Sequence, residues 1–312
     1  MPIRVSVIIP TYNPCAKRLR QVLAALQAQT LPTNQWETII VNNASTQFPN
    51  SVFFQESVPD NLWVIEEPKP GLALARACGL RAARGEIAIF VDDDNLLASD
   101  YLKQAINLID IHPNIGIAGG RIGPEFESPP PHWSTDFLQL LACWDHGEEP
   151  LLSSPKAQDD TGNLIWPYFA PVGAGMVLRR AAWEAWLTFL DSTDDTLSDR
   201  KGNQLSSGGD NEIVLIALKA GWQVGYFPSL RLTHLIPESR LDPHYLARLN
   251  YGCSFGFIQA LRRHDACPWP PISRWTLPLR LARTWLRCRA WQGPANYIRW
   301  RGLVGHFAAR TR

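Results

Sequence analysis

The stretch "EIAIFVDDDNLL" (residues 86–97) decides how the rest of the chain is read. Its first six residues form an apolar, β-branched run of the kind that makes a buried strand. That run ends in three consecutive carboxylates, Asp92, Asp93 and Asp94, followed by Asn95. Adjacent anions oppose one another's ionisation, and each tenfold change in that equilibrium corresponds to about 1.4 kcal/mol. A helix cap or a turn uses one such residue, so three after a buried strand call for another explanation. In an open parallel sheet, ligands bind beyond the carboxyl ends of the strands, where this triplet sits. Unless the turn intervenes, strand alternation predicts Asp92 and Asp94 on one side and Asp93 on the other. Two hard oxygen ligands on one side suit Mg²⁺ or Mn²⁺ shared with a diphosphate.

Two rivals fail on spacing. A calcium loop needs an oxygen ligand at the fifth position and Gly at the sixth, where Leu96 and Leu97 stand. A phosphatase of the haloacid dehalogenase type also ends a strand in D-x-D, but Leu96 does not fit its pattern and its later motifs are absent.

Outward from that strand, apolar runs alternate with helical patterns through the first 120 residues. "RVSVII" (4–9) precedes a helical stretch at 15–29, and "WETIIV" (36–41) precedes a polar turn. "LWVIEE" (62–67) leads into "GLALARACGLRAARG" (71–85), where Leu72, Ala75, Cys78, Gly79 and Ala82 fall on one apolar helical face. A helix near 99–112 and the strand "IGIAGG" (115–120) follow. Short β-branched runs separated by helices predict an α/β fold whose mostly parallel central sheet is covered on both faces. Residues 121–170 carry Pro, Gly and charge with little periodicity, and predict loops around a cleft. Regularity returns with "GAGMVLRRAAWEAWLTFL" (173–190), a helix over 208–222, the strands "QVGYF" and "LRLTHL", and a helix from about Pro243 to Arg263.

The 312 residues are 46% hydrophobic, enough for a substantial core. The net charge of +1 conceals an asymmetry. Arg262 to Arg312 holds eleven Arg, no Lys and one acid, Asp265, so the preceding 261 residues carry 19 bases against 28 acids. One domain over 1–262 and an Arg- and Trp-rich helical extension over 263–312 are expected. The six Cys form no C-x-x-C pair, which speaks against zinc and against a disulfide framework, and for a reducing cytoplasm. The N-terminus lacks the regions of a signal peptide, and no window approaches the roughly eighteen apolar residues of a membrane span. The N-A-S sequon at Asn43 is therefore expected to stay unmodified.

Six segments, in order, resemble the inverting family 2 glycosyltransferases of GT-A fold, the group that builds bacterial polysaccharides. They are "VSVIIPTYN" (5–13), "IIVNNAST" (39–46), "PGLALARACGLRAARGEIAIFVDDDN" (70–95), "VGAGMVLRR" (172–180), "SGGDNEIVLIALKAGWQVGYFP" (207–228) and "LTHLIPESRL" (232–241). The resemblance implies a Rossmann-like GT-A sheet flanked by helices and a nucleoside-diphosphate sugar donor, with uridine favoured. It implies a glycan or lipid-linked acceptor and polysaccharide biosynthesis at the cell surface. It puts Pro10 and Tyr12 beside the base, where a stacked ring contributes about 1–3 kcal/mol. It gives Arg76, Asp92 and Asp93 to the donor, and Asp94 with His234 to Mn²⁺ or Mg²⁺. Asp210 becomes the base that deprotonates the acceptor hydroxyl, with Glu212 in reserve. Two positions depart from the family: Asn42 stands where an acid usually accepts from the uracil imide, and Gly209 replaces the Glu before Asp210. Local readings stand beside these roles: a turn for "PTYN", a solvated helix residue for Arg76, an N-cap for Asp210 and a structural histidine for His234.

In "TLPLRLARTWLRCRAW" (276–291) a helix after Pro278 would put Leu277, Leu281, Trp285 and Cys288 on one side and Arg280, Arg283 and Arg287 on the other. That pattern fits either a helix on an anionic membrane surface through 268–312, on the inner face of the plasma membrane, or one folded against the acidic domain. No nucleic-acid partner is expected, because the remainder is acidic and lacks a recognition module. The functional alternatives are a non-catalytic nucleotide-sugar-binding relative and another nucleotide-sugar or phosphate-transfer enzyme.

Overall fold

The computed structural model describes residues 2–50, 53–55, 58–154, 158, 162, 164–193 and 208–311. Along the chain come β1 (Val5–Thr11), α1 (Ala16–Gln27), β2 (Trp36–Asn43), β3 (Leu62–Glu67), α2 (Leu72–Ala82), β4 (Ile87–Phe90), β5 (Asn95–Leu97) and α3 (Tyr101–Ile111). There follow β6 (Ile115–Phe126), β7 (Leu151–Leu152), β8 (Val177–Arg179), α4 (Arg180–Asp191), α5 (Gly209–Lys219), β9 (Gln223–Ile236), α6 (Pro243–Arg263), α7 (Leu277–Cys288) and α8 (Pro294–Arg310).

Among the described residues the strands make one sheet in the order β3-β2-β1-β4-β8-β6-β9-β5, with β7 paired to β9. The half from β3 to β4 is parallel, as are β6 and β9, while the short β8 joins them antiparallel. All seven residues of β1 are buried. Val5, Val7 and Ile9 pack with residues of α1 and α3, whereas Ile8 packs with α2, α4 and α5. This is the two-fold alternation of a strand buried on both sides, and each such side chain stabilises the fold by about 1.5–3 kcal/mol. The polar members of this layer are satisfied in place. Ser6 donates to Glu37 at 2.7 Å and accepts from the Gly85 N–H at 2.9 Å, and the buried Glu37 carboxylate also takes Arg84 at 2.6 Å.

Three expectations are corrected. The buried face of α2 is Ala73, Ala75, Arg76, Ala77, Gly79 and Leu80, while Leu72, Cys78 and Ala82 are only half-buried. Helix and sheet press together at Gly79, where an added Cβ would collide with Ile8. The region 121–170 is more regular than loops: β6 runs on to Phe126 beside β9, a 3-10 segment covers His132–Leu141, and β7 adds to the sheet. Of the "DDTGN" stretch (159–163) only Gly162 lies within the described residues. "QVGYF" and "LRLTHL" form one strand, β9, with a register shift that absorbs Pro228. Pro124 is tolerated because β8 pairs with β6 only at Ile117 and Ala118, which leaves the far half of β6 close to a sheet edge.

The basic extension divides. α8 packs along α6, with Ile298 in a small core beside Leu246 and Leu249, Arg299 paired to Asp136, and Arg262 donating to the Ala309 carbonyl at 2.6 Å. α7 packs mainly on α8. No described helix is long and apolar enough to cross a membrane.

The register shift of β6 against β9 depends on Gly120, where a Cβ would run into the Leu230 backbone carbonyl, whereas a Cβ at Gly123 meets nothing within 4 Å. Gly120→Ala is expected to cost at least about 1–3 kcal/mol and Gly123→Ala to be close to neutral. Urea unfolding midpoints check this; equal midpoints for the two variants would contradict the close approach.

Candidate active site

The parallel topology brings the ends of β1, β2 and β4 to one edge, and the turn after β4 delivers the carboxylate triplet there. Pro10, Thr11 and Tyr12, Asn43, Asp92, Asp93 and Asp94, the start of α2, Leu140 to Ala142, His234 and Arg240 line a cavity of about 190 Å³. All three acids face it, contrary to the expected alternation. The chain turns at Asp93 and Asp94 before β5 begins, and Asn95 holds that turn by accepting from the Asp92 N–H at 3.3 Å and donating to Asp94 at 3.2 Å.

Each acid has its own compensation. Asp93 accepts from the Thr11 hydroxyl, yet burial, together with the charges of Asp94 and Asp92, pushes its pKa up to about 7. Asp94 is pulled the other way. Burial favours its neutral form, but the hydrogen bond and charge of His234, with Arg240, hold the carboxyl below its usual range. The pairing follows from register, since β5 runs antiparallel to β9 with Asn95 opposite His234. His234 Nε2 lies 3.4 Å from Asp94, and Nδ1 is 2.7 Å from the Leu141 carbonyl, to which its proton is donated. Burial pushes the His234 pKa down, but the bond to Asp94 reverses this and raises it.

Asp92 faces a different cation. Arg76, only 2% exposed, lies 3.7 Å from Asp92, pairs directly with Asp210 and sits 4.9 Å over the Phe90 ring. Sequence reading gave Arg76 to the nucleotide; in the fold its guanidinium bridges two carboxylates, one lining each cavity. Gly173 completes the bridge, donating its N–H to Asp210 at 2.8 Å, and a Cβ there would collide with the guanidinium.

Asp210 lies in the first turn of α5, where a carboxylate is favoured by the helix dipole. Its side chain does not cap the helix; Gly208 holds the N-cap position. Instead, Asp210 forms part of the wall of a second cavity of about 430 Å³, with Trp144, Trp166, Val172 and Phe257, which shares Leu140 and Ala142 with the first. Glu212, the reserve candidate, stands apart from Asp210. It is 2% exposed and tied to His264 at 3.3 Å and Arg263 at 3.5 Å, away from both cavities.

Pro10 and Tyr12 line the first cavity, and the Tyr12 ring is half exposed. Asn42 is buried, donating to Glu66 at 3.0 Å and accepting from the Ser45 N–H at 3.3 Å. Sequence reasoning missed Thr11, Asn43, Glu66 and Arg240. Arg240 had a signal, since it falls within the "LTHLIPESRL" segment, and it stands 3.9 Å from Asp94. Asn43 accepts from the Gly71 N–H at 2.7 Å and donates to the Lys69 carbonyl at 2.7 Å, which fixes the loop that opens α2.

Comparison with known proteins bears on the part of the chain that carries the strand-tip acids. The profile described as Glycosyl transferase family 2 matches residues 6–192. Glycosyltransferase AglE of Haloferax volcanii is 32% identical over 127 residues, covering 40% of this chain and 40% of that protein. Poly(ribitol-phosphate) beta-N-acetylglucosaminyltransferase TarS of Staphylococcus aureus is 33% identical over 109 residues, 34% of this chain and 19% of TarS. An N-acetylglucosaminyltransferase of Azorhizobium caulinodans is 24% identical over 261 residues, 80% of this chain and 59% of that protein. The match thus spans less than two thirds of each of these relatives. The crystal structure of TarS 1–349 aligns over 99% of this chain and 90% of that one with TM-score 0.51 and 15% identity, a likeness of fold.

Removing Arg76 leaves Asp92 and Asp210 without their shared cation, and breaking a buried pair in this way typically costs about 3–5 kcal/mol. Arg76→Met is expected to lose stability on that scale, and Arg76→Met combined with Asp210→Asn to regain part of it. Denaturant unfolding of both variants checks the coupling; a double variant no more stable than Arg76→Met would mean that the two side chains are not energetically paired.

Proposed function

The chain belongs to glycosyl transferase family 2, and on that premise we propose that it moves a sugar from a nucleoside-diphosphate sugar to a hydroxyl of a glycan or lipid-linked acceptor, with inversion. The observation that carries this reading is the placement of Asp210. Its carboxylate stands in the wall of one cavity while Arg76 ties it to the acids of the other. The donor occupies the smaller cavity and the acceptor the larger.

The chemistry follows from charge. As the acceptor oxygen attacks the anomeric carbon, Asp210 takes its proton, and the bond from that carbon to the diphosphate oxygen breaks on the opposite face. Such a base contributes about 10²- to 10⁴-fold. Arg76 on one carboxylate oxygen and the Gly173 N–H on the other aim Asp210, and each oxygen keeps a lone pair for the hydroxyl.

Mn²⁺ or Mg²⁺ fits the acids on stated terms. Asp94 would offer a carboxylate, and His234 would offer Nε2 once a metal displaces the proton it shares with Asp94, its other nitrogen being fixed by a carbonyl. Among the described residues no group of three or more His, Cys, Asp or Glu gathers as a cage, so the remaining ligands would come from the donor's phosphates and water. Held there, such a cation would offset the charge that grows on the departing diphosphate. Arg240 adds a fixed positive charge beside Asp94.

For the base, uridine is favoured. Tyr12 lines the donor cavity with a half-exposed ring suited to stacking on the base.

Asp210→Asn and Asp94→Ala are each expected to lower nucleoside-diphosphate release by about 10²-fold or more with the circular dichroism spectrum unchanged. Near-normal turnover by either variant would refute the role of that residue. A wild-type chain that binds donors across a panel yet releases no nucleoside diphosphate with any acceptor would be a non-catalytic relative.

A further inference from the structure

α7 has two apolar faces, and only one of them is covered. The side expected to be apolar, Leu277, Leu281, Trp285 and Cys288, is half-buried against α8. There the Trp285 ring meets Trp300 edge-on at 4.7 Å, and Trp300 Nε1 donates to the Leu281 carbonyl at 3.3 Å. The other face is open. Trp275 is 88% exposed, Leu279 75% and Leu286 64%, with exposed Ala282 between them. Steps of four, three and four residues put these positions on one stripe, running from the 3-10 turn Arg274–Thr276 along the helix. Trp291, 55% exposed, follows just past its end.

Charge says what could cover the stripe. Arg274, Arg280, Arg283, Arg287 and Arg289 are all exposed around it, and the sequence has no acid from Ala266 to its end. Among the described residues none of these five forms an ion pair with the acidic domain. An isologous contact with a second copy would bring two sets of arginines together, which charge repulsion opposes. A surface with anions at its rim and an apolar layer behind them matches both features at once.

We infer that α7 and the turn before it lie flat on an anionic phospholipid surface, with Trp275, Leu279 and Leu286 in the headgroup–acyl boundary and the arginines on lipid phosphates. Tryptophan is suited to that boundary, and arginine stems can lie along the apolar layer while their heads reach outward. This places the protein on a membrane through a surface helix, and it does not rest on the assignment of Asp210 or Asp94.

Co-sedimentation of the full chain with phosphatidylcholine vesicles, with and without phosphatidylglycerol, tests it. The wild type is expected to pellet with the anionic vesicles, less so at high salt, and to leave pure phosphatidylcholine largely unbound. Trp275→Ser/Leu279→Ser/Leu286→Ser should lower the partition coefficient about tenfold or more, and Arg280→Gln/Arg283→Gln/Arg287→Gln should remove the preference for phosphatidylglycerol. These side chains are exposed, so circular dichroism should be unchanged. Equal pelleting of the Ser variant, equal binding to both vesicle types, or a wild-type oligomer that the Ser variant dissolves while anionic vesicles go unbound would overturn the inference.

Discussion

Three consecutive carboxylates can stand at the tip of one strand only if each is compensated differently, and the site is arranged around that constraint. Asp92 faces Arg76, Asp93 has its charge suppressed by burial and hydrogen-bonds to Thr11, and Asp94 is held ionised by His234 and Arg240. The partners come from α2, β1, β9 and the turn after β9, so the local repulsion is resolved only when distant parts of the chain assemble. Arg76 extends this arrangement from the acids to Asp210. A buried ion pair of this kind adds little net stability, because desolvation offsets most of the attraction; its evident effect is to fix where two carboxylates stand relative to one another.

The backbone supplies the same precision. Gly173 and Gly79 let chain segments approach where any side chain would collide, with Arg76 in one case and Ile8 in the other. Asn43 fastens the loop before α2 to the end of β2, so the helix that carries Arg76 starts from a fixed point. Leu140 and Ala142 then form a common wall between the two cavities. On the proposed function, donor and acceptor would meet across that wall.

Much of this was legible in sequence. β-branched runs marked β1 to β4, and the ordered motifs singled out Asp92 to Asp94, Asp210 and His234, since these residue types at strand ends and helix starts leave a local trace. What stayed hidden depends on partners far along the chain. Nothing near Arg76 announces that Asp210 will draw it inward, and Glu212 shows no local sign that His264 and Arg263 will enclose it. The second half of β6 and the unbroken β9 were obscured by Pro124 and Pro228, which read as loop until the register shift and the near-edge position are known. α7 carries two overlapping apolar stripes, and periodicity alone could not tell which one α8 would cover.

On the proposed mechanism, Asp94 and His234 would hold a divalent cation only together with the donor's phosphates. Calorimetric titration of uridine diphosphate into the wild-type chain, once with Mn²⁺ and once with a chelator, tests this directly. Affinity about tenfold or more tighter with the metal is expected, because one or two protein ligands leave the rest of the coordination to phosphate oxygens. Equal affinity in the two titrations would contradict it.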